Sequence, residues 1–183
     1  MSCKIAPVLL IIIVIAAGCG SHLTTGKSGA GEERAYPIDN PTADNLELSN
    51  IYLQQAKRHY AEGDYRAAQG ACENAVELNH QNWEAHYYLG LASQKKNEYT
   101  TSIEVLSVSL KYSPENNYIK SEIHFAIGIS WEKLGELDKA EDEFEEALSY
   151  NSEHHSARDA KNRIKVEKTL RNWGKDTVRD YEG

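Results

Sequence analysis

Small residues recur at regular intervals along the middle of the chain, among apolar residues at helical spacing. Four positions are each repeated three times, with a first step of 34 residues and a second step of 38 residues. They hold Ala56, Gly90 and Gly128; Gly63, Asn97 and Gly135; Ala68, Ser102 and Ala140; and Ala75, Ser109 and Ala147. Small residues at helical positions allow two helices to approach closely, so the pattern predicts tightly packed helix pairs.

Each repeat is predicted to form two helices joined by a short turn. In the first unit, Ala68, Cys72, Ala75 and Val76 follow one another at spacings of 4, 3 and 1, which places them on one face of a helix. Residues 117–120 are additional to the repeat and correspond to about one helical turn. We expect them to extend the start of the helix that follows.

The repeat region is expected to begin at residue 43, with Thr42 as the N-cap of its first helix. Its three units are predicted at residues 49–82, 83–116 and 121–154. A stack of repeats exposes an apolar face at its end, which needs a cap.

Residues 155–183 are expected to supply that cap as a helix to about residue 172, followed by a loose tail. The apolar residues of this helix are Ala157, Ala160, Ile164 and Leu170. Whether Trp173 and Tyr181 fold back onto the stack is left open by the pattern.

The period, the small residues and the turn over Leu134–Ala140 resemble the tetratricopeptide repeat. The resemblance covers residues 49–154. It implies an all-α fold, a right-handed α-solenoid of about three helix pairs plus a C-terminal capping helix. In that family the repeats hold other proteins, so the resemblance implies a protein-binding role rather than catalysis.

The N-terminal segment has the features of a secretory signal. Lys4 precedes the apolar run Ile5–Ala17, which as a helix rises only about 20 Å, less than the roughly 30 Å of a bilayer core. The run ends at Cys19, which resembles the lipidated cysteine of a bacterial lipobox, although Ala16 stands where that family usually has Leu, Val or Ile. The resemblance implies a lipoprotein signal peptide over residues 1–18 and lipidation of Cys19. Plain secretion, with cleavage near Ala17, is the alternative.

Residues 19–42 are rich in Gly, Ser, Thr and Asn, so they are expected to form a flexible tether behind the lipidated cysteine. In lipoproteins of proteobacteria, an Asp after that cysteine retains the protein in the inner membrane. Here Gly20 and Ser21 follow it. The resemblance therefore implies attachment to the outer membrane, facing the periplasm.

In tetratricopeptide stacks, the second, fifth, ninth and twelfth places of each unit face the ligand. Carried over to this chain, these places are Asn50, Leu53, Lys57 and Tyr60; Glu84, Tyr87, Leu91 and Gln94; and Glu122, Phe125, Ile129 and Glu132. The partner-binding residues expected from them are Leu53, Lys57, Tyr60, Tyr87, Leu91, Gln94, Phe125, Ile129 and Glu132. The Lys and Asn clamp of chaperone-binding members is missing.

A groove of this composition suits an amphipathic helix or an extended apolar peptide from another envelope protein. Two alternatives remain open. The N-terminal segment or the C-terminal tail of the chain fills the groove, or these residues pack between helices.

The charge of the chain argues against a nucleic-acid partner. The sequence holds 20 basic and 28 acidic residues, a net charge of −8. Acidity peaks at Glu141, Asp142, Glu143, Glu145 and Glu146. This run is expected to form a solvated outer face; steering of a basic partner, or pairing with the basic C-terminal helix of a second copy in a homo-oligomer, are the alternatives.

The sequence predicts no active site, metal site or cofactor. Cys3, Cys19 and Cys72 suggest no disulfide, and Cys72 is expected to be a buried small residue. His154 and His155 form the one adjacent histidine pair, and on a helix their side chains point about 100° apart. No phosphate-binding loop or hydrolase motif is present in the sequence.

These features together predict a membrane-anchored scaffold that binds an envelope protein, and not an enzyme. Among lipid-anchored repeat proteins the chain resembles the pilotins of type IV pilus assembly, which help secretin subunits assemble, although it has fewer repeats than they usually carry. An adaptor of cell-wall enzymes or of outer-membrane protein assembly is the alternative.

Overall fold

Seven α-helices and no β-strand make up residues 41–179, the part of the chain that the structure, a computed structural model, describes; side chains are described as far as residue 173. The helices are α1 (Ala43–Glu62), α2 (Tyr65–Leu78), α3 (Trp83–Lys95), α4 (Tyr99–Tyr112), α5 (Asn117–Leu134), α6 (Leu137–Tyr150) and α7 (His155–Arg179). None of them is long and apolar enough to cross a membrane. The expected signal peptide and Cys19 lie outside the described residues.

The helices pack as three consecutive pairs, α1 with α2, α3 with α4 and α5 with α6. Each second helix also packs against the first helix of the next pair, and α7 packs against α6. The predicted all-α solenoid of three pairs with a capping helix is therefore confirmed. Helices α1, α3 and α5 are neighbours along one side of the stack, here called the inner face.

Polar side chains begin most of the helices. The Oγ1 atom of Thr42 accepts the N–H of Asn45 at 3.2 Å, which confirms Thr42 as the cap of α1. Asp64, Asn82 and Asn116 cap α2, α3 and α5 in the same way. Each cap satisfies a backbone N–H that the first turn of a helix leaves without a partner.

The turn inside each pair has a left-handed residue at the same repeat position. Gly63 and Gly135 both have φ = 81°, and Asn97 has φ = 64°. Glycine adopts this conformation without a steric penalty, and asparagine tolerates it better than most residues. The recurring small or amide residue is thus explained by the backbone of the turn.

The small helical residues lie where the two helices of a pair meet. A Cβ atom added at Gly90 would lie 2.5 Å from Cγ of Leu106, and one added at Gly128 would lie 2.5 Å from Cε1 of Phe144. Both large side chains are fully buried. In the first pair, Ala56 belongs to one buried cluster with the smaller Cys72. A glycine on the first helix therefore faces a large side chain on the second, and the larger alanine faces the smaller cysteine.

The four additional residues extend α5, as predicted. Asn116 caps the helix by accepting the N–H of Ile119 at 3.1 Å, so α5 begins at Asn117. It is 18 residues long, whereas the equivalent helix α3 has 13. The insertion therefore adds a turn to the start of α5.

The first half of α7 docks on α6 through apolar and charged contacts. Ala160 and Ile164 are buried in one cluster with Phe144, and Nζ of Lys168 lies 2.7 Å from Oε2 of Glu141. Lys168 also pairs with Asp138, next to the first residue of α6.

Lys168, Arg171 and Asn172 lie beside residues 135–138, at the start of α6. Leu170 is 58% exposed and Trp173 is 70% exposed. Leu170, one of the apolar residues expected in the cap, does not dock on α6, because it stands six residues after Ile164 and so lies about 120° around the helix from it. Trp173 does not fold back, and the helix continues to Arg179, further than the sequence indicated.

Candidate partner-binding groove

The start of α3 places an aromatic pair and a carboxylate on the inner face. Trp83 is the first residue of α3, and Glu84 and Tyr87 follow it. Tyr87 stands four residues after Trp83 and three after Glu84, so the three side chains are neighbours on the helix surface. The cap formed by Asn82, which accepts the N–H of Ala85 at 3.1 Å, fixes where the helix begins.

The start of α5 provides a facing set with the same spacing. Tyr118 and Ile119 belong to the inserted turn, and Glu122 follows them by four and three residues. Tyr118 is 63% exposed, while Ile119 packs against the core between α4 and α5. Without the additional turn, neither side chain would stand opposite α3.

These two sets enclose a pocket of about 210 Å³, here called the α3–α5 pocket. Its walls are formed by Trp83, Glu84, Tyr87, Tyr118, Ile119 and Glu122, together with Tyr88 and Ile123. The walls are mainly aromatic and apolar, with two carboxylates at the rim. Such a pocket suits a side chain with a long apolar part.

Glu84 is neutralised by another residue of the chain. Its Oε1 atom lies 2.6 Å from Nζ of Lys57 on α1. The same ammonium group lies 5.6 Å from the ring centroid of Tyr88, within the range of a cation–π contact. Lys57 therefore joins α1 to the rim of the pocket.

Glu122 contacts a histidine rather than a lysine or an arginine. His154 Nδ1 accepts the N–H of Ala157 at 3.2 Å. Its Nε2 atom lies 3.4 Å from Oε1 of Glu122 and makes no hydrogen bond. Among the described residues, no lysine or arginine pairs with this carboxylate.

The surroundings of the pocket raise the pKa of Tyr87. Burial raises the pKa of its hydroxyl well above the usual range, and the negative charge of Glu122 raises it further. The pKa of Tyr60 is also raised, first by burial and then by Tyr65 and Tyr88. Both phenols therefore stay neutral at physiological pH and act as hydrogen-bonding groups.

The nine residues that the sequence assigned to partner binding fall into separate settings. Tyr87 lines the α3–α5 pocket, and Lys57 and Tyr60 lie beside it around Tyr88. Leu91 is half-buried against the core between α3 and α5. Leu53 is only 4% exposed, in the cluster that joins the first two pairs, and offers little surface to a partner.

The other four predicted residues contact neighbouring helices. Gln94 donates to the carbonyl of Ala126 at 2.6 Å and to Oγ of Ser130 at 2.8 Å. Phe125 and Ile129 pack against the cluster shared by α6 and α7. Both oxygens of Glu132 accept from Arg163 at 2.8 Å. These four residues therefore connect elements of the stack, and only part of each remains accessible.

Sequence reasoning missed five of the eight residues that line the pocket, Trp83, Tyr88, Tyr118, Ile119 and Ile123. Tyr118 and Ile119 belong to the insertion, so the extra four residues were the available signal. Among residues 41–173, no cluster of His, Cys, Asp and Glu side chains is arranged to hold a metal ion.

Comparison with known proteins gives the family. The chain matches tetratricopeptide-repeat models over residues 53–117 and again over residues 121–154, which together are more than half of it. No curated protein matches it in sequence.

Several solved structures share the fold at low sequence identity. The first tetratricopeptide domain of Spaghetti (RPAP3), bound to an HSP90 peptide, is 11% identical with a TM-score of 0.63, covering 68% of this chain and 95% of that one. MamA is 22% identical with a TM-score of 0.62, covering 68% of this chain and 70% of that one. The Yersinia enterocolitica type III secretion chaperone SycD, solved with a peptide of the translocator YopD, is 21% identical with a TM-score of 0.60, covering 69% of this chain and 97% of that one.

Both family matches and these folds agree with the structure, which has helix pairs, left-handed turns and close approaches at Gly90 and Gly128. The chain belongs to the tetratricopeptide-repeat family.

Proposed function

We propose that the protein is a lipid-anchored scaffold of the bacterial envelope that holds a segment of another envelope protein on its inner face. The observation that carries this proposal is the α3–α5 pocket, because an inserted turn builds one of its walls. Exposed Tyr118 then stands beside half-buried Tyr87, and aromatic anchors of this kind commonly supply much of the energy of protein binding.

Peptide binding by structural neighbours supports this role. SycD was solved with a peptide of YopD, and the RPAP3 domain with an HSP90 peptide of sequence SRMEEVD. The second peptide ends in acidic residues. Here the rim of the pocket carries Glu84 and Glu122, so an acidic tail is disfavoured and a different type of segment is expected.

The anchor is proposed from the sequence alone. Lipidation at Cys19 would attach the chain to the outer membrane, and residues 19–42 would let the repeats reach a partner in the periplasm. Replacing Cys19 with Ser is expected to move the protein from the membrane fraction to the soluble periplasmic fraction. An unchanged distribution would remove the lipid anchor from the proposal.

The pathway we propose is type IV pilus or secretin assembly, with the cell-wall or outer-membrane adaptor role as the other outcome of one experiment. A photo-crosslinking amino acid is placed at Tyr118 in the full, membrane-anchored chain, and the crosslinked protein is identified by mass spectrometry. Glu104, exposed on α4 and outside the pocket, is the matched control position.

Crosslinking to a secretin or pilus component from position 118, and not from position 104, is the expected result. A peptidoglycan enzyme or an outer-membrane assembly protein would select the adaptor role instead. If position 118 captures no envelope protein, or no more than position 104 does, the scaffold function is wrong. Tyr87→Ala should reduce the specific adduct, since it removes one wall of the pocket.

A further inference from the structure

We propose that the α3–α5 pocket selects a partner segment that carries a lysine or arginine side chain beside apolar residues, with Glu122 as the counter-ion. This inference rests on the proposed function, since it names the chemistry of the segment that the groove holds.

The first observation is that Glu122 has no cation of its own. Among the described residues, its one ionic contact is His154, whose Nδ1 accepts a backbone N–H and whose Nε2 makes no hydrogen bond to the carboxylate. The Glu122 side chain is 33% exposed, so its carboxylate is partly withdrawn from water yet open to a ligand. A partly desolvated charge gains more from a cationic partner than a fully solvated one does.

The second observation is that the other carboxylates of α3 and α5 are already paired. Glu84 lies 2.6 Å from Nζ of Lys57, and Glu132 forms two bonds of 2.8 Å with Arg163. The unbalanced negative charge of these two helices therefore lies at Glu122, at the rim of the pocket. Charge complementarity requires a cation from outside the described part of the chain.

The third observation is that the pocket walls suit the remainder of such a side chain. Trp83 and Ile119 offer apolar surface along which the methylene groups of a lysine or an arginine can lie. Tyr87 and Tyr118 place aromatic rings beside the carboxylate, and the face of an aromatic ring attracts a cation.

The chain contains an internal example of this arrangement. Lys57 pairs with Glu84 while its ammonium group lies 5.6 Å from the centre of the Tyr88 ring. Glu84 and Tyr88 line one side of the pocket, with Lys57 beside them. On the other side, Glu122 and Tyr118 provide a carboxylate and a tyrosine without a lysine. A basic side chain from a partner would complete a second copy of the arrangement.

The net charge of the repeats favours the same partner. Residues 49–154 contain 9 basic and 18 acidic residues. Their field attracts a basic segment and repels an acidic one before contact. Apolar residues next to the cation would then cover the exposed ring of Tyr118.

The test is a selection of random dodecapeptides displayed on phage, made against the full chain in detergent. The same selection is made against three variants: Glu122→Gln, Tyr87→Ala and, as the matched charge control, Glu104→Gln. We expect the wild-type chain and Glu104→Gln to enrich peptides with Lys or Arg beside large apolar residues. The Glu122→Gln variant should lose the basic residue from its selected peptides, because the amide offers no charge.

A peptide from the wild-type selection then allows a thermodynamic cycle. Replacing its basic residue with norleucine, or Glu122 with Gln, should each weaken binding by about tenfold. Because both changes remove the same contact, together they should weaken binding by little more than either alone.

Two results would overturn the inference, and they are distinguishable. Apolar or acidic peptides, or basic peptides retained equally by Glu122→Gln, would show that the groove binds segments but does not select a cation. If the wild-type chain enriched no peptides beyond those that Tyr87→Ala enriches, the groove would not bind a segment. Both the proposed function and this inference would then be wrong.

Discussion

The hydroxyl of Ser109 donates a hydrogen bond of 2.8 Å to the carbonyl oxygen of Trp83 and so ties the end of α4 to the start of α3. The other two pairs have the same bond with the donor on the opposite helix. There the serine belongs to the first helix, and the bonds are Ser49 to the carbonyl of Ala75 and Ser121 to the carbonyl of Ala147. In each pair, a serine hydroxyl therefore joins the two helices at the end opposite their turn.

Replacing Ser109 with Ala is expected to lower the free energy of unfolding by about 1–2 kcal/mol, because a partly buried carbonyl loses a hydrogen bond from the other helix. Ser107→Ala is the control, since that exposed hydroxyl bonds to Ile103 within its own helix. Urea denaturation measures both variants. Equal effects would show that the bond between the helices adds nothing.

Gly90→Ala is expected to destabilise the protein by about 1–2 kcal/mol, although alanine favours a helix over glycine by roughly 1 kcal/mol. The reason is the 2.5 Å approach of the new Cβ atom to Cγ of fully buried Leu106. Gly70, on α2, has no atom within 4 Å of an added Cβ, so Gly70→Ala should stabilise by up to about 1 kcal/mol. If both variants shifted the free energy of unfolding in the same direction, the close approach at Gly90 would not be what decides the effect.

A double variant tests the size matching directly. Gly90→Ala with Leu106→Cys reproduces the pair of Ala56 and Cys72 in the first unit. We expect the double variant to lose less stability than the sum of the two single changes, since the smaller side chain makes room for the methyl group. Simple additivity in urea denaturation would show that the two places are independent.

Ile164→Ala is expected to cost about 2–4 kcal/mol, because Ile164 is fully buried against α6. Leu170→Ala on the same helix should change stability by less than about 0.5 kcal/mol, since that side chain is 58% exposed. Hydrogen exchange should show α7 opening first in Ile164→Ala. A similar loss in Leu170→Ala would mean that this side of α7 is also packed.

Stability is expected to fall as the pH drops below about 6.5, in part because of His86. Burial lowers the pKa of this histidine, its Nε2 bonds to the carbonyl of His80, and its buried Nδ1 has no partner. The unfolded chain then binds more protons than the folded one, so stability rises with pH through this range. His86→Gln should flatten the slope in urea denaturation between about pH 5 and pH 7. An unchanged slope would assign the effect to other groups.

Cys72 is expected to react with maleimide only when the protein unfolds. Its side chain is fully buried, and burial raises the pKa of its thiol to about 12, so little thiolate is present. Mass spectrometry of the peptide that contains Cys72 should show labelling in urea and none in the native protein over the same time. Labelling of the native protein would mean that the first pair opens readily.

The helix pairs could be predicted from sequence because the residues that define them repeat. Gly90 and Gly128 are small since a buried side chain fills the space beside each, and this need recurs at every unit. The left-handed turn at Asn97 and the cap at Thr42 were likewise predictable, because each depends on a local backbone conformation.

The pocket could not be predicted in the same way, because it depends on how two helices line up. An apolar residue at the fifth place fits equally well under a neighbouring helix, as Leu53 does, or in a groove, as Tyr87 does. The position of Tyr118 opposite Trp83 follows from the inserted turn of α5, for which the repeat pattern has no equivalent.

The matched sizes at Gly90 with Leu106, and at Gly128 with Phe144, make the helix pair the smallest exchangeable part of this protein. A first helix moved alone from the first unit into the third would bring the methyl group of Ala56 against the ring of Phe144. The reverse exchange would leave an empty space beside Cys72. Recombination or engineering that joins repeats at their turns would therefore fail more often than joining them between pairs, although both keep the same number of helices.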